Sequence, residues 1–199
     1  MYLIDYQAIP LNVCQDRLRK TRLLGYNEEL VYKDARISLK TYVNPLDIYP
    51  TQRYILKPIM RRTVELYKSL LSRGIDIMEL TGALWVKIRD NDGVVKEFHL
   101  TPPLVETTQN TETGEDIYLL ADGMHRVSLA IEQGYPINVI LINGVSRPYY
   151  AYPLSGWSEV EVFETLPTDF IKRRYRDPDN HKLLFRDYGI GFPNIQPKR

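Results

Sequence analysis

The run Leu120-Ala121-Asp122-Gly123-Met124-His125-Arg126 gathers several kinds of chemistry into one turn. An apolar strand ends at Asp122, and a helical pattern opens directly after Gly123. A helix start leaves backbone N–H groups without partners and carries the positive end of the macrodipole. It is therefore a ready anion site, and phosphate is the usual anion. Gly123 lets a ligand come close to the backbone. Arg126 offers a planar fork suited to phosphate oxygens. Asp122 can cap the helix, hold a metal, or accept a proton from a hydroxyl. His125 and Arg126 place cations where the dipole disfavours them, a cost that an anionic ligand offsets. The same residues also fit an ordinary capped helix with solvated first-turn side chains, and the sequence leaves both readings open.

Other chemistry is thinly represented. His99, His125 and His181 have no metal-ligand spacing, and His99 reads as a structural residue of a strand. The chain has no Gly-x-Ser-x-Gly elbow and no Walker loop. Ser128 reads as a packed helix serine. Cys14 is the single cysteine, which excludes an internal disulfide and any multi-cysteine metal site. The net charge of +1 gives no global electrostatic case for nucleic acid. The basic run Lys172-Arg173-Arg174-Tyr175-Arg176 has two readings: a solvated face neutralised by Glu159, Glu161 and Glu164, or a patch on which bases stack. In a further reading, Arg173, Arg174, Arg176 and Arg186 lie near the anion site or form a partner-binding face.

The 199 residues, 44% of them hydrophobic, suffice for one domain with a sizeable core. No stretch approaches the ~20 apolar residues that span a bilayer, and residues 1–5 do not read as a signal peptide. A soluble cytoplasmic protein is expected. Residues 1–35 read as an arm, with a short basic helix around Arg17 to Arg22. Arg36 to Val43 alternates and reads as a strand. Pro58 to Arg73 has helical spacing, opened by proline and closed by Gly74. Ala83 to Arg89 and Val94 to Leu100 flank Asp90-Asn91-Asp92-Gly93, a hairpin signal. Leu104 to Thr107 reads as a short strand, Thr108 to Asp116 as a loop, and Ile117 to Ala121 as a buried strand. A helix follows over Met124 to Gln133, closed by Gly134, then a strand over Ile137 to Ile142. Beyond residue 146 the chain is rich in aromatics. A short helix is expected from Thr168 to Arg176, another from His181 to Tyr188, and an extended tail from Phe192. The aromatic content of the terminal segments predicts that they pack on the core.

Two blocks make the chain resemble the ParB/sulfiredoxin superfamily. The first is Ile48-Tyr49-Pro50-Thr51-Gln52-Arg53, leading into the helix from Pro58. The second is Leu120 to Arg126 with Ala130 and Gly134, similar to the Asp-Gly-His-His-Arg turn of free serine kinases and many ParB-like domains. Thr101-Pro102-Pro103-Leu104-Val105 resembles the family's intervening strand. The resemblance implies a single α/β (α+β) domain over about residues 36–145, with an N-terminal arm over 1–35 and a C-terminal extension over 146–199. It implies a nucleoside di- or triphosphate (ATP, ADP or CTP) with Mg²⁺, bound by Gly123, Met124, His125, Arg126, Gln52 and Arg53. Asp122 and His125 are then the catalytic candidates, with Asp122 also the metal ligand. Two functions stay open. One is a phosphotransferase or nucleotide hydrolase acting on a small molecule. The other is a non-catalytic, nucleotide-gated protein that associates with DNA or a partner, nucleic acid being the less favoured. The sulfiredoxin cysteine is replaced by Met124, and the residues after the core show no helix-turn-helix of the partitioning proteins. Where the free serine kinases place a catalytic glutamate, this chain aligns Gln52, which cannot act as a base. Asp47 and Glu106 are the candidate substitutes.

Overall fold

The computed structural model describes residues 1–109, 114–166, 168 and 170–192. Part of the loop expected over 108–116 and nearly all of the tail expected from Phe192 lie outside these residues. The chain begins with β1 (Tyr2–Ile9), α1 (Leu11–Leu18) and the short β2 (Arg22–Leu23). It continues through β3 (Arg36–Val43), β4 (Ile48–Tyr49), β5 (Tyr54–Leu56) and α2 (Lys57–Leu71). Next come β6 (Ala83–Arg89), β7 (Val95–Leu100), β8 (Leu104–Gln109), β9 (Asp116–Asp122), α3 (Met124–Gln133) and β10 (Ile137–Asn143). β11 (Glu161–Phe163) and β12 (Arg186–Asp187) close the order. The fold is mixed α+β.

The main sheet has the order β3-β10-β8-β9-β4, with β10 antiparallel to β3 and parallel to β8. β9 runs antiparallel to β8 and parallel to β4. Pairing Ile48 with Tyr118 and Tyr49 with Leu119 lays the residues after β4 alongside the end of β9. The Thr51 hydroxyl then donates to the Leu120 carbonyl at 2.9 Å. Leu104 pairs with Asp122 while Val105 pairs with Leu120, a bulge that accommodates Ala121. Such a bulge re-aims the strand end, and here it delivers Asp122 into the turn.

A second sheet, β1-β6-β7, is antiparallel throughout. The β6–β7 turn forms as the sequence predicts: the Asp90 carboxylate accepts the N–H groups of Asp92 at 3.0 Å and Val94 at 2.9 Å, and Gly93 supplies φ +81°. α2 has proline in its first turn and buries Met60, Leu66 and Leu70. α3 lies between left-handed glycines, Gly123 at φ 101° and Gly134 at φ 66°. Cys14 is buried in the core with Leu18, Leu23 and Ile140.

Three helix expectations are corrected. The short basic helix expected around Arg17 to Arg22 does not span that run: α1 ends at Leu18, and Arg22 begins β2. No helix occupies the described residues of 168–176. There the chain bends at Lys172 and Arg173 and bridges Ala151 through Tyr175: Arg53 N–H donates to the Lys172 carbonyl at 2.9 Å, Tyr152 N–H to Arg174 at 2.8 Å, and Arg176 N–H to Tyr150 at 3.0 Å. Phe170 against Tyr54 and Tyr175 against Tyr150 need this path, so ring burial overrides a weak helical period. The helix expected over His181 to Tyr188 is one 3₁₀ turn, His181–Leu184, followed by β12 pairing with β2.

Glu106 is not free to act as a base. It is buried and receives the Tyr32 hydroxyl at 2.6 Å and the Arg186 Nε–H and Nη2–H at 2.9 and 3.0 Å. Arg186 also donates to the carbonyls of Pro148, Leu184 and Arg147 at 3.0, 2.7 and 2.9 Å, so all five of its N–H bonds have acceptors. Burial and the neighbouring Glu106 push the Tyr32 phenol well above its ordinary range, so it donates as a neutral hydroxyl. This cluster joins residues from near both ends of the chain to the central strand β8.

Candidate functional site

A cavity of about 650 Å³ opens at the start of α3. Its lining includes Thr51, Gln52, Asp122, Gly123, Met124, His125 and Arg126, together with His99, Lys172 and Arg173. Its apolar lining includes Leu56, Ile59, Leu66, Ile77, Phe98 and Leu100. The volume lies within the ~300–1,000 Å³ of small-molecule and cofactor sites. The two sequence blocks therefore meet, because the β4–β9 register sets Thr51 and Gln52 beside the turn at Asp122.

Gly123 is needed here twice over. Its φ of 101° is left-handed, and a Cβ there would lie 2.8 Å from Pro103 Cβ and 3.0 Å from Pro103 Cα. The Met124 and His125 N–H groups lack intrahelical acceptors, and Gly123 at the N-cap has no side chain to cap them.

Arg126 is 7% exposed and does not point freely into the cavity. Its Nη2 donates to Asp122 Oδ2 at 3.0 Å and its Nη1 to the Thr101 carbonyl. Burial lowers the Arg126 pKa, against the pull of Asp122. Burial likewise raises that of Asp122, opposed by Arg126, the Gly123 N–H and Arg173. The pair ties the helix start to β9 and to the residue before Pro102-Pro103. Gln52 is also occupied, its amide donating to the Tyr54 carbonyl. Arg53 is not among the lining residues; its guanidinium lies over the Phe170 ring at 4.5 Å.

His125 lines the cavity with its Nε2 buried and without a hydrogen-bond partner among the described residues. Burial, with Lys172 and Arg126 nearby, lowers its pKa from the ordinary 6.5 to about 4. The imidazole is therefore neutral at pH 7. Between those two values the unfolded chain takes up a proton that the folded chain refuses, so this group makes stability fall on acidification. The loss of Tm between pH 7 and pH 5 is expected to be smaller in His125→Gln than in the parent chain; equal losses contradict this.

The basic run divides. Lys172 and Arg173 line the cavity, held there by the Arg53–Lys172 backbone bond. Burial and Arg173 lower Lys172 to about 8. Arg174 instead pairs with Glu159 at 2.5 Å, Arg176 lies over Tyr152 at 4.3 Å, and Arg186 is in the Glu106 cluster. The apolar wall from α2 and β7 was not foreseen as part of a site. It carries only core-type periodicity, and nothing in the sequence separates a cavity wall from core. Cys14 is not among the lining residues, and burial, opposed by Arg17, pushes its thiol up to about 12, so it is no nucleophile at neutral pH.

An α+β fold with a strand, a glycine turn and a helix start opening onto one cavity defines the class of protein. The family model of the ParB CE domain matches residues 13–161, well over half of the chain, and the chain belongs to that family. No curated protein and no solved structure matches it. No helix among the described residues is long and apolar enough to cross a membrane.

Proposed function

We propose that the chain binds a nucleoside di- or triphosphate (ATP, ADP or CTP), as the ParB/sulfiredoxin resemblance implies. The phosphates lie at the start of α3, and the base and sugar lie toward the apolar wall. The observation that carries this reading is a single cavity lined by a helix start with a glycine N-cap, two basic side chains and a set of apolar residues. The buried, unpartnered Nε of Arg173 fits an anionic ligand. A divalent ion fits less directly. Among the described residues no group of three His, Cys, Asp or Glu side chains could hold a metal, and Asp122 is the one carboxylate lining the cavity. Mg²⁺ is commonly held by one or two carboxylates together with substrate phosphates. Asp122, through the oxygen not bonded to Arg126, is the residue to supply that contact.

Between the two functions left open, the residues favour a nucleotide-gated binding module. Asp122 and Glu106 are both in ion pairs, Asp47 is not among the lining residues, and Gln52 is no base. Phosphoryl transfer or hydrolysis is the second reading, supported by the neutral, unpaired Nε2 of His125. Calorimetric titration with ATP, ADP and CTP in the presence of Mg²⁺ tests binding, and the absence of binding at millimolar nucleotide overturns the proposal. Phosphate release that disappears in His125→Gln moves the conclusion to the second reading.

A further inference from the structure

We infer that Lys172 and Arg173 form a second wall of the anion site and make it prefer a chain of two or three phosphates over a single one. The inference rests on the phosphate-binding part of the reading above. It is independent of the family match, which ends at residue 161, before either cation.

Four observations carry it. Lys172 and Arg173 line the same cavity as Gly123 and His125 but reach it from a different segment. Both are positioned: the Lys172 carbonyl accepts the Arg53 N–H at 2.9 Å, and the Arg173 guanidinium lies over the Tyr150 ring at 5.2 Å. The Nε of Arg173 is buried and has no hydrogen-bond partner among the described residues. Finally, among the described residues Asp122 is the one carboxylate lining the cavity, and it is bonded to Arg126. Arg173 acts on Asp122 only as a lesser neighbour behind Arg126, Lys172 has no other carboxylate among the described lining residues, and burial keeps water from screening the two cations fully. One phosphate seated on the helix start satisfies the first wall. A second or third phosphate is what brings negative charge to Lys172 and a hydrogen-bond acceptor to Arg173.

Calorimetry on the full chain with orthophosphate, pyrophosphate and tripolyphosphate, alongside AMP, ADP and ATP, tests this. Affinity is expected to rise with each added phosphate. Lys172→Gln and Arg173→Gln should each lower tripolyphosphate affinity by about ten- to a hundredfold, the usual worth of a charge-assisted hydrogen bond. Orthophosphate affinity should change little. Arg173→Lys should keep part of the affinity, and Lys172→Gln decides the matter if Arg173→Gln does not fold. Equal affinity for orthophosphate and tripolyphosphate, or unchanged tripolyphosphate binding in a folded Lys172→Gln variant, overturns the inference. Nucleotide binding that is undiminished in Lys172→Gln overturns it while the nucleotide reading stands. Lys172-dependent tripolyphosphate binding without nucleotide binding supports it while the nucleotide reading fails.

Discussion

Arg186→Ala is expected to lower the unfolding free energy by about 3–5 kcal/mol, the cost of leaving a buried charge without its partner. For a chain of 199 residues this is a loss of roughly 10 °C in Tm. The cause is the Glu106 carboxylate, 3% exposed, which loses both guanidinium bonds and keeps only the Tyr32 hydroxyl. The carbonyls of Arg147, Pro148 and Leu184 lose their donors as well. Arg186→Lys should recover little, because an ammonium cannot reproduce the fork across both carboxylate oxygens. Urea unfolding of the two variants checks this. A change below about 1 kcal/mol, the range of an exposed ion pair, would show that the cluster is solvated.

Gly123→Ala is the second large effect. Alanine must adopt φ 101° and place its Cβ 2.8 Å from Pro103 Cβ, so strain and overpacking together cost about 2–5 kcal/mol. Relief requires the turn to move away from Pro103. That shifts the helix start and breaks the Arg126 bonds to Asp122 and Thr101. Loss of anion binding should accompany the loss of stability. Gly123→Asn separates the two causes: asparagine tolerates positive φ better but still carries a Cβ. Asparagine that restored stability would show that backbone conformation alone, and not the approach of Pro103, demands glycine.

The parts of the fold that were legible in the sequence are those whose local signals agree with their burial. α3 spans Met124–Gln133 as expected because a glycine turn, an apolar face and a second glycine mark both its ends. β6 and β7 follow from alternation around Asp90 to Gly93. β1 gave no such signal. Of its eight residues only Leu3 and Ile9 are buried, so neither alternation nor an apolar run marks it, and its place is set by pairing with β6. The non-helical path through Arg173 and Tyr175 was illegible for a different reason. Basic and aromatic residues at near-helical spacing resemble a helix face, and only contacts with Tyr54, Tyr150 and residues 150–152 decide otherwise.

At the site, the sequence identified the glycine turn and the helix start. It could not show that Arg126 is turned inward. The i,i+4 spacing from Asp122 allows that pair, but the Thr101 carbonyl that completes it is distant in sequence. Lys172 and Arg173 reach the cavity through one backbone bond to Arg53, a contact that no residue type announces.

Phosphates held between the start of α3 and the Lys172–Arg173 segment, as proposed above, must perturb both segments at once. The most direct measurement is the amide spectrum of isotopically labelled protein during titration with ATP and Mg²⁺. Saturable shifts of the Gly123, Met124 and His125 amides are expected, with Lys172 and Arg173 moving along the same binding curve. ATP that leaves these five amides unmoved, or that shifts only amides elsewhere on the surface, contradicts the proposal.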